Sequence, residues 1–202
     1  DTLTLSAGIS KGSIDLGAGS DKLTLGNFVN SATVANVESL LGGSMADAIT
    51  LGAALTSSTT INLGAGNDEL TLGNFANTGT ISNVETIVGG SGADTITLAT
   101  IMSKGQIDLG AGTDSVTLGN FANTVEVANV ESLLGGSNSD DITFSSALTT
   151  DSAIDLGAGA DKLTLKADGN TGTVSNVETV IGGAGADAIS FATQLVGASI
   201  DL

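Results

Sequence analysis

One unit of 46–47 residues runs through the chain four times, and no other feature narrows the possible folds as much. Each copy holds two glycine-rich turns that close on aspartate. The first series reads IDLGAGSD (14–21), INLGAGND (61–68), IDLGAGTD (107–114) and IDLGAGAD (154–161). The second reads GGSMAD (42–47), GGSGAD (89–94), GGSNSD (135–140) and GGAGAD (182–187). Between them Asn-Val-Glu recurs at 36–38, 83–85, 129–131 and 176–178. After each closing aspartate apolar and polar residues alternate, as in Lys22-Leu23-Thr24-Leu25 and Thr95-Ile96-Thr97-Leu98, the period of a strand with one face inward. A further apolar position stands seven residues ahead of each aspartate: Ile14, Leu40, Ile61, Ile87, Ile107, Leu133, Ile154 and Val180. One strand–turn–strand unit cannot bury its apolar face, whereas stacked copies enclose a continuous core. The expectation is therefore an all-β fold, a parallel β-solenoid of about eight coils, two per repeat, on the order of 40 Å long. It forms a single repetitive domain over 1–202, with turn pairs at 14–47, 61–94, 107–140 and 154–187. A β-sandwich would not need identical turns at fixed intervals.

Composition removes several classes of function. The 202 residues carry 22 acids against 5 lysines, a net charge of -17, and include no Cys, His, Pro, Trp or Tyr. Without Cys or His there is no thiolate nucleophile, disulfide, zinc finger or imidazole acid–base pair. So acidic a chain is a poor match for a phosphate backbone, and nucleic acid is not an expected partner. No run of about 18 apolar residues offers a membrane span, and no basic n-region precedes an apolar stretch. With 41% apolar residues but 2% aromatic, the core must be built from Leu, Ile, Val and Ala.

The turns themselves suggest a cation. Glycines bring backbone carbonyls close together because they adopt φ > 0 without penalty. An aspartate at a fixed offset adds a carboxylate, and the same turn repeated above encloses a space lined by oxygen. Stacked carboxylates repel one another unless a cation lies between them. Hard oxygen donors in a flexible six- to eight-fold shell suit Ca²⁺ better than Mg²⁺, and soft metals would want the Cys or His that is missing. Eight turns in one column leave seven gaps, and one Ca²⁺ in each would bring +14 against -17. A further site would involve Asp1, which has the spacing of an earlier turn aspartate relative to Asp47. Aspartate also caps turns without any metal, but that does not explain the constant offset from the glycines.

These turns resemble the GGxGxDxUx nonapeptide of RTX proteins, the calcium-binding β-roll modules of haemolysin-type secreted bacterial proteins. GGSGADTIT (89–97) and GGAGADAIS (182–190) match in full. Leu16, Leu63, Leu109 and Leu156 stand where the first glycine would be, and Met45 and Asn138 replace the third. Asn tolerates a left-handed conformation and Met does not, so a weak or distorted gap is expected beside Met45. The resemblance implies ligation by the carboxylates of Asp21, Asp47, Asp68, Asp94, Asp114, Asp140, Asp161 and Asp187. It implies that carbonyls of the adjoining glycines complete the shell: Gly17, Gly19, Gly64, Gly66, Gly110, Gly112, Gly157 and Gly159 in one series. In the other they are Gly42, Gly43, Gly89, Gly90, Gly92, Gly135, Gly136, Gly182, Gly183 and Gly185. Family nonapeptides run in tandem, whereas here single turns are kept apart by the rest of each half-repeat, which implies a variant with one calcium-bearing edge. Export to a calcium-rich exterior, typically by type I secretion, is implied as well.

Other recurrent residues read as structural. Asp15, Asn62, Asp108, Asp155 and Asp201 are expected to point outward, either solvated or adding an outer oxygen to a neighbouring site. Glu38, Glu85, Glu131 and Glu178 would bond to backbone of the adjacent coil or to the asparagines before them. Asn36, Asn83, Asn129 and Asn176 would form a stacked amide ladder. Phe28, Phe75 and Phe121 would cover the edge of the core. Thr24, Thr50, Thr71, Thr97, Thr117, Thr143 and Thr164, with Ser190, suit an exposed strand position; a single hydroxyl row is less than an ice-binding face requires. Carboxylates repeated four times are structural rather than catalytic, and no enzyme is expected. The function expected is a calcium-stabilised extracellular structural module of a bacterial surface layer, adhesin stalk or matrix filament, cut from a longer array and open to end-to-end or lateral homopolymer association. The alternative is an auxiliary calcium-dependent roll of a type I-secreted enzyme or toxin.

Overall fold

The computed structural model describes all 202 residues. Twenty-two strands, from Thr2–Thr4 to Ser199–Asp201, alternate between two sheets of eleven. Odd-numbered strands in chain order build the first sheet and even-numbered strands the second, and every pairing between neighbours is parallel. This is a β-solenoid whose coil is one strand from each sheet. Eleven strands at about 4.8 Å give a body about 50 Å long. There is no helix, so none crosses a membrane.

The coil differs from the sequence repeat. Registers such as Asn30↔Asp47, Ala48↔Glu69 and Thr95↔Ser115 show that one coil is shorter than half a repeat. One repeat spans five strands: Lys22–Thr24 and its copy Glu69–Thr71 are the third and eighth in the chain. Each repeat is thus two and a half coils rather than two, and successive copies of any residue fall on opposite sheets. The strands overlooked by the two-coil count lie in the stretch that reads as a return path. Asn30–Ala35 and Thr78–Ser82 are full members of their sheets.

Inward side chains stack as aliphatic ladders. Leu3, Leu23, Leu40, Ile61 and Ile81 align along the first sheet. Ile49, Leu70, Ile87, Ile107, Val127 and Phe144 align along the second. The core they form holds 37 buried hydrophobic residues. Leu63, Leu109 and Leu156, which break the glycine pattern of the turns, are fully buried within it. Each packs where the turn one coil below has a glycine: a Cβ on Gly42, Gly89 or Gly135 would run into the backbone of Leu63, Leu109 or Leu156. Leu55 and Met102 drop from wider loops into the core in the same way, over Gly79 and Gly105.

Several expectations need correction here. Phe28, Phe75 and Phe121 lie outside the core, each more than a third exposed. The threonines of the alternating strands do not form one row. Thr50 and Thr71 pair on the second sheet, and Thr97 and Thr117 on the first. On the first sheet Thr80–Thr97–Thr117 runs beside Thr78–Thr95–Ser115–Ser132 until Leu134 interrupts the former.

Candidate metal centres

Because successive copies change sides, the eight turn aspartates do not form one column on one edge. Asp47, Asp68, Asp140 and Asp161 lie on the edge where the chain passes from the first sheet to the second. Asp21, Asp94, Asp114 and Asp187 lie on the opposite edge. Along either edge they come in adjacent pairs, Asp47 with Asp68, Asp94 with Asp114, and Asp140 with Asp161. The seven equivalent gaps expected from one column are replaced by three two-aspartate gaps. Asp1 sits one coil behind Asp21, and its amino group donates to Asp21 Oδ1 as the Asp94 amide donates to Asp114.

Each pair belongs to a longer side-chain ladder. The Leu55 amide donates to Asn77 Oδ1 (2.9 Å), the Asn77 amide to Asp94 Oδ1 (2.9 Å), the Asp94 amide to Asp114 Oδ1 (2.7 Å), and the Asp114 amide to Glu131 Oε2 (2.8 Å). Met102, Asn123, Asp140, Asp161 and Glu178 repeat the arrangement on the other edge. Ile9, Asn30, Asp47, Asp68 and Glu85 repeat it again. One side-chain oxygen in each coil thus accepts from the backbone of the coil behind. The glutamates bond to adjacent backbone as expected, their longer side chain reaching from the short Asn-Val-Glu turn.

The second carboxylate oxygen has no such partner. Oδ2 of Asp21, Asp47, Asp68, Asp94, Asp114, Asp140, Asp161 and Asp187 is buried and makes no hydrogen bond. Asp94 is wholly buried, and the paired aspartates are no more than 2% exposed. A buried unpartnered carboxylate oxygen is costly, and its pKa responds. Asp68, Asp114 and Asp161 are pushed up to about 6, first by burial and then by the adjacent carboxylates, against the pull of the amide behind each. Burial also raises Asp47, although Asn30 bonds to it. Asp187 is held below the usual carboxylate range by Asn170.

Oxygen also comes from the backbone. A Cβ built on Gly66 would lie 2.7 Å from Asp68 Oδ1 and 2.9 Å from the carbonyl of Met45 in the turn below. The same cradle lies over Gly112, between Asp114 Oδ1 (2.8 Å) and the Gly92 carbonyl (2.6 Å). It recurs over Gly159, between Asp161 Oδ1 (2.8 Å) and the Asn138 carbonyl (2.9 Å). None of these three carbonyls accepts a backbone hydrogen bond. Each pair of aspartates therefore carries two buried, unpartnered Oδ2 atoms, and the lower turn adds a free carbonyl close to the upper carboxylate across a glycine too crowded to carry a side chain. No site gathers three or more acidic side chains, so carbonyls would have to complete any coordination shell. All the donors are hard oxygens, the set that suits Ca²⁺.

Met45 does not distort its gap. Neither Met45 nor Asn138 has positive φ; the left-handed glycines belong to the other series, as at Gly64 (φ 95) and Gly110 (φ 84). The asparagines of Asn-Val-Glu are the residues that need tolerance of this region, with φ of 51 to 54 at Asn36, Asn83, Asn129 and Asn176. They build no amide ladder. Each reaches one coil back, to Asp15, Asn62, Asp108 or Asp155. The Oδ1 atoms of those four residues also accept from Gly17, Gly64, Gly110 and Gly157, which makes them turn caps. Asn30, Asn77, Asn123 and Asn170 had no role in the sequence reading, although they recur with the same rhythm as the turn aspartates. No family model, curated protein or solved structure matches the chain.

Proposed function

We propose that the chain is a calcium-stabilised structural repeat module that works outside the cell, in a surface layer, adhesin stalk or matrix filament, and carries no catalysis of its own. The observation that carries this reading is the set of three equivalent gaps, each with two buried carboxylate oxygens lacking any partner and a free carbonyl beside a glycine cradle. Asp47 and Asp68, Asp94 and Asp114, and Asp140 and Asp161 would hold one ion apiece. A bound Ca²⁺ would supply the positive charge that makes burial of these carboxylates favourable, tying adjacent coils together. Such linkage makes metal binding part of folding free energy. An extracellular setting follows from the millimolar calcium that weak, carbonyl-rich sites require, and agrees with the resemblance to RTX rolls.

The test is a calcium titration of protein stripped of metal, followed by far-UV circular dichroism and elemental analysis. The expected result is about three bound ions at millimolar calcium and a thermal midpoint that rises with calcium. Unchanged β-structure and midpoint after exhaustive chelation, with no metal retained, would sink the reading.

A further inference from the structure

The three ladders repeat one order of residues: an aliphatic side chain, Asn, Asp, Asp, Glu. Asn30, Asn77 and Asn123 are at most 1% exposed, and the orientation of each amide is fixed on both sides. The oxygen faces backward, accepting from the amides of Ile9, Leu55 and Met102. The nitrogen faces forward and uses both its protons. In Asn77 it donates to the carbonyl of Phe75 in its own turn (3.0 Å) and to Asp94 Oδ1 in the next coil (2.8 Å). Asn30 bridges the Phe28 carbonyl and Asp47 Oδ1, and Asn123 the Phe121 carbonyl and Asp140 Oδ1.

One coil further on, Asp replaces Asn in the ladder, and its unpartnered Oδ2 is the counterpart of the donor nitrogen. A carbonyl of the lower turn (Met45, Gly92, Asn138) and a carboxylate of the upper turn (Asp68, Asp114, Asp161) flank the glycine cradle. The Asn nitrogen supplies an electropositive group between a turn carbonyl and the next carboxylate, whereas the unpartnered Asp Oδ2 that succeeds it supplies none. In the Asn gap the chain supplies that group itself.

Resting on the calcium reading above, we propose that the Asn30, Asn77, Asn123 and Asn170 amides are built-in substitutes for a cation, each closing the gap ahead of it. Ions are therefore confined to the Asp–Asp gaps, isolated from one another on alternate edges, and do not run as a continuous column. The aspartate after each asparagine is left with a neutral donor on one side and a cation on the other. The ladder is thereby half independent of metal: the Asn gap holds two coils in register before any ion arrives.

Replacement of the amide by a carboxylate recreates the Asp–Asp arrangement. In Asn77→Asp one oxygen still accepts from the Leu55 amide, and the other takes the place of the donor nitrogen. Bound calcium per chain would be counted by native mass spectrometry and calorimetric titration for the parent, Asn77→Asp and, on the opposite edge, Asn123→Asp. Each variant is expected to bind one more ion than the parent, and to need calcium for a larger part of its thermal stability. An unchanged count in both variants, with a parent that binds calcium, overturns the substitution idea alone. A variant that stays unfolded in excess calcium overturns it too, since an ion would then be no replacement for the amide. A parent that binds no calcium overturns the functional reading and this inference together.

Discussion

Asp114 keeps one oxygen on the Asp94 amide and leaves the other buried without a partner, so its charge is costly to bury. Asp114→Asn should therefore move stability in opposite directions in the two metal states. In chelator at pH 7.5 the variant is expected to be more stable by roughly 2–3 kcal/mol, because the penalty behind a pKa near 6 disappears. In calcium it should bind one ion fewer and lose the corresponding shift in midpoint, read by thermal melts of both proteins in both conditions. The same carboxyls set a pH dependence. Asp68, Asp114 and Asp161 have folded-state values near 6, above the 3.8 of the free side chain, so between these limits the folded chain holds more protons than the unfolded one. Metal-free protein should accordingly lose stability as pH rises from about 4 to about 6. A metal-free midpoint that rises over that interval would contradict the assignment. The aspartates of these gaps could be picked out in the sequence because each has a fixed offset within its turn. The free carbonyls of Met45 and Asn138, by contrast, stand where glycine was expected, and those of Gly43, Gly90 and Gly136 are taken by backbone amides. The cation-like role of Asn77 was not legible, since its partner Asp94 lies a whole coil further along the chain and only coil stacking brings them together.

Strands were legible from alternation wherever the inward residue is large. Ile107 sits between Ile87 and Val127 in a ladder with no exposed neighbour on its inner face. Ile107→Ala should cost about 2–4 kcal/mol in chemical denaturation, since flanking coils cannot collapse into the space without breaking register. Thr78–Ser82 was harder to see because Gly79 occupies an inward position, and its place in the core is filled by Leu55 from the preceding loop. The turn glycines answer to both backbone conformation and crowding. Gly110 has φ 84 and sits against the Gly90 carbonyl, and Gly112 borders the cradle beside the Gly92 carbonyl. A Cβ at Gly112 occupies that cradle, so Gly112→Ala should reduce bound calcium by one ion per chain. Equal stoichiometry in parent and variant would place the ion elsewhere.

Three bound divalent ions would offset only six of the seventeen net negative charges, so a calcium-loaded solenoid would remain strongly acidic. Side-by-side association through neutralised edges is correspondingly less favoured than a full column of ions would make it. Added sodium chloride should raise the melting temperature of metal-free protein more than that of the calcium form, because screening acts where carboxylates lack a counterion. An equal salt response in both forms would argue that the ladders carry little of the repulsion. Composition and spacing were enough to specify parallel stacked strands, an aliphatic core and an oxygen-rich turn, because each of these depends on residues close together in the chain. Which turns become neighbours depends on the length of a coil, set by registers such as Asn30↔Asp47 and Ala48↔Glu69, and not on the length of the repeat. Five strands per repeat is an odd number, so two-sheet winding sends each copy of a turn to the edge opposite the last. That geometric parity turned one expected column of aspartates into pairs, each with an asparagine behind it and a glutamate ahead.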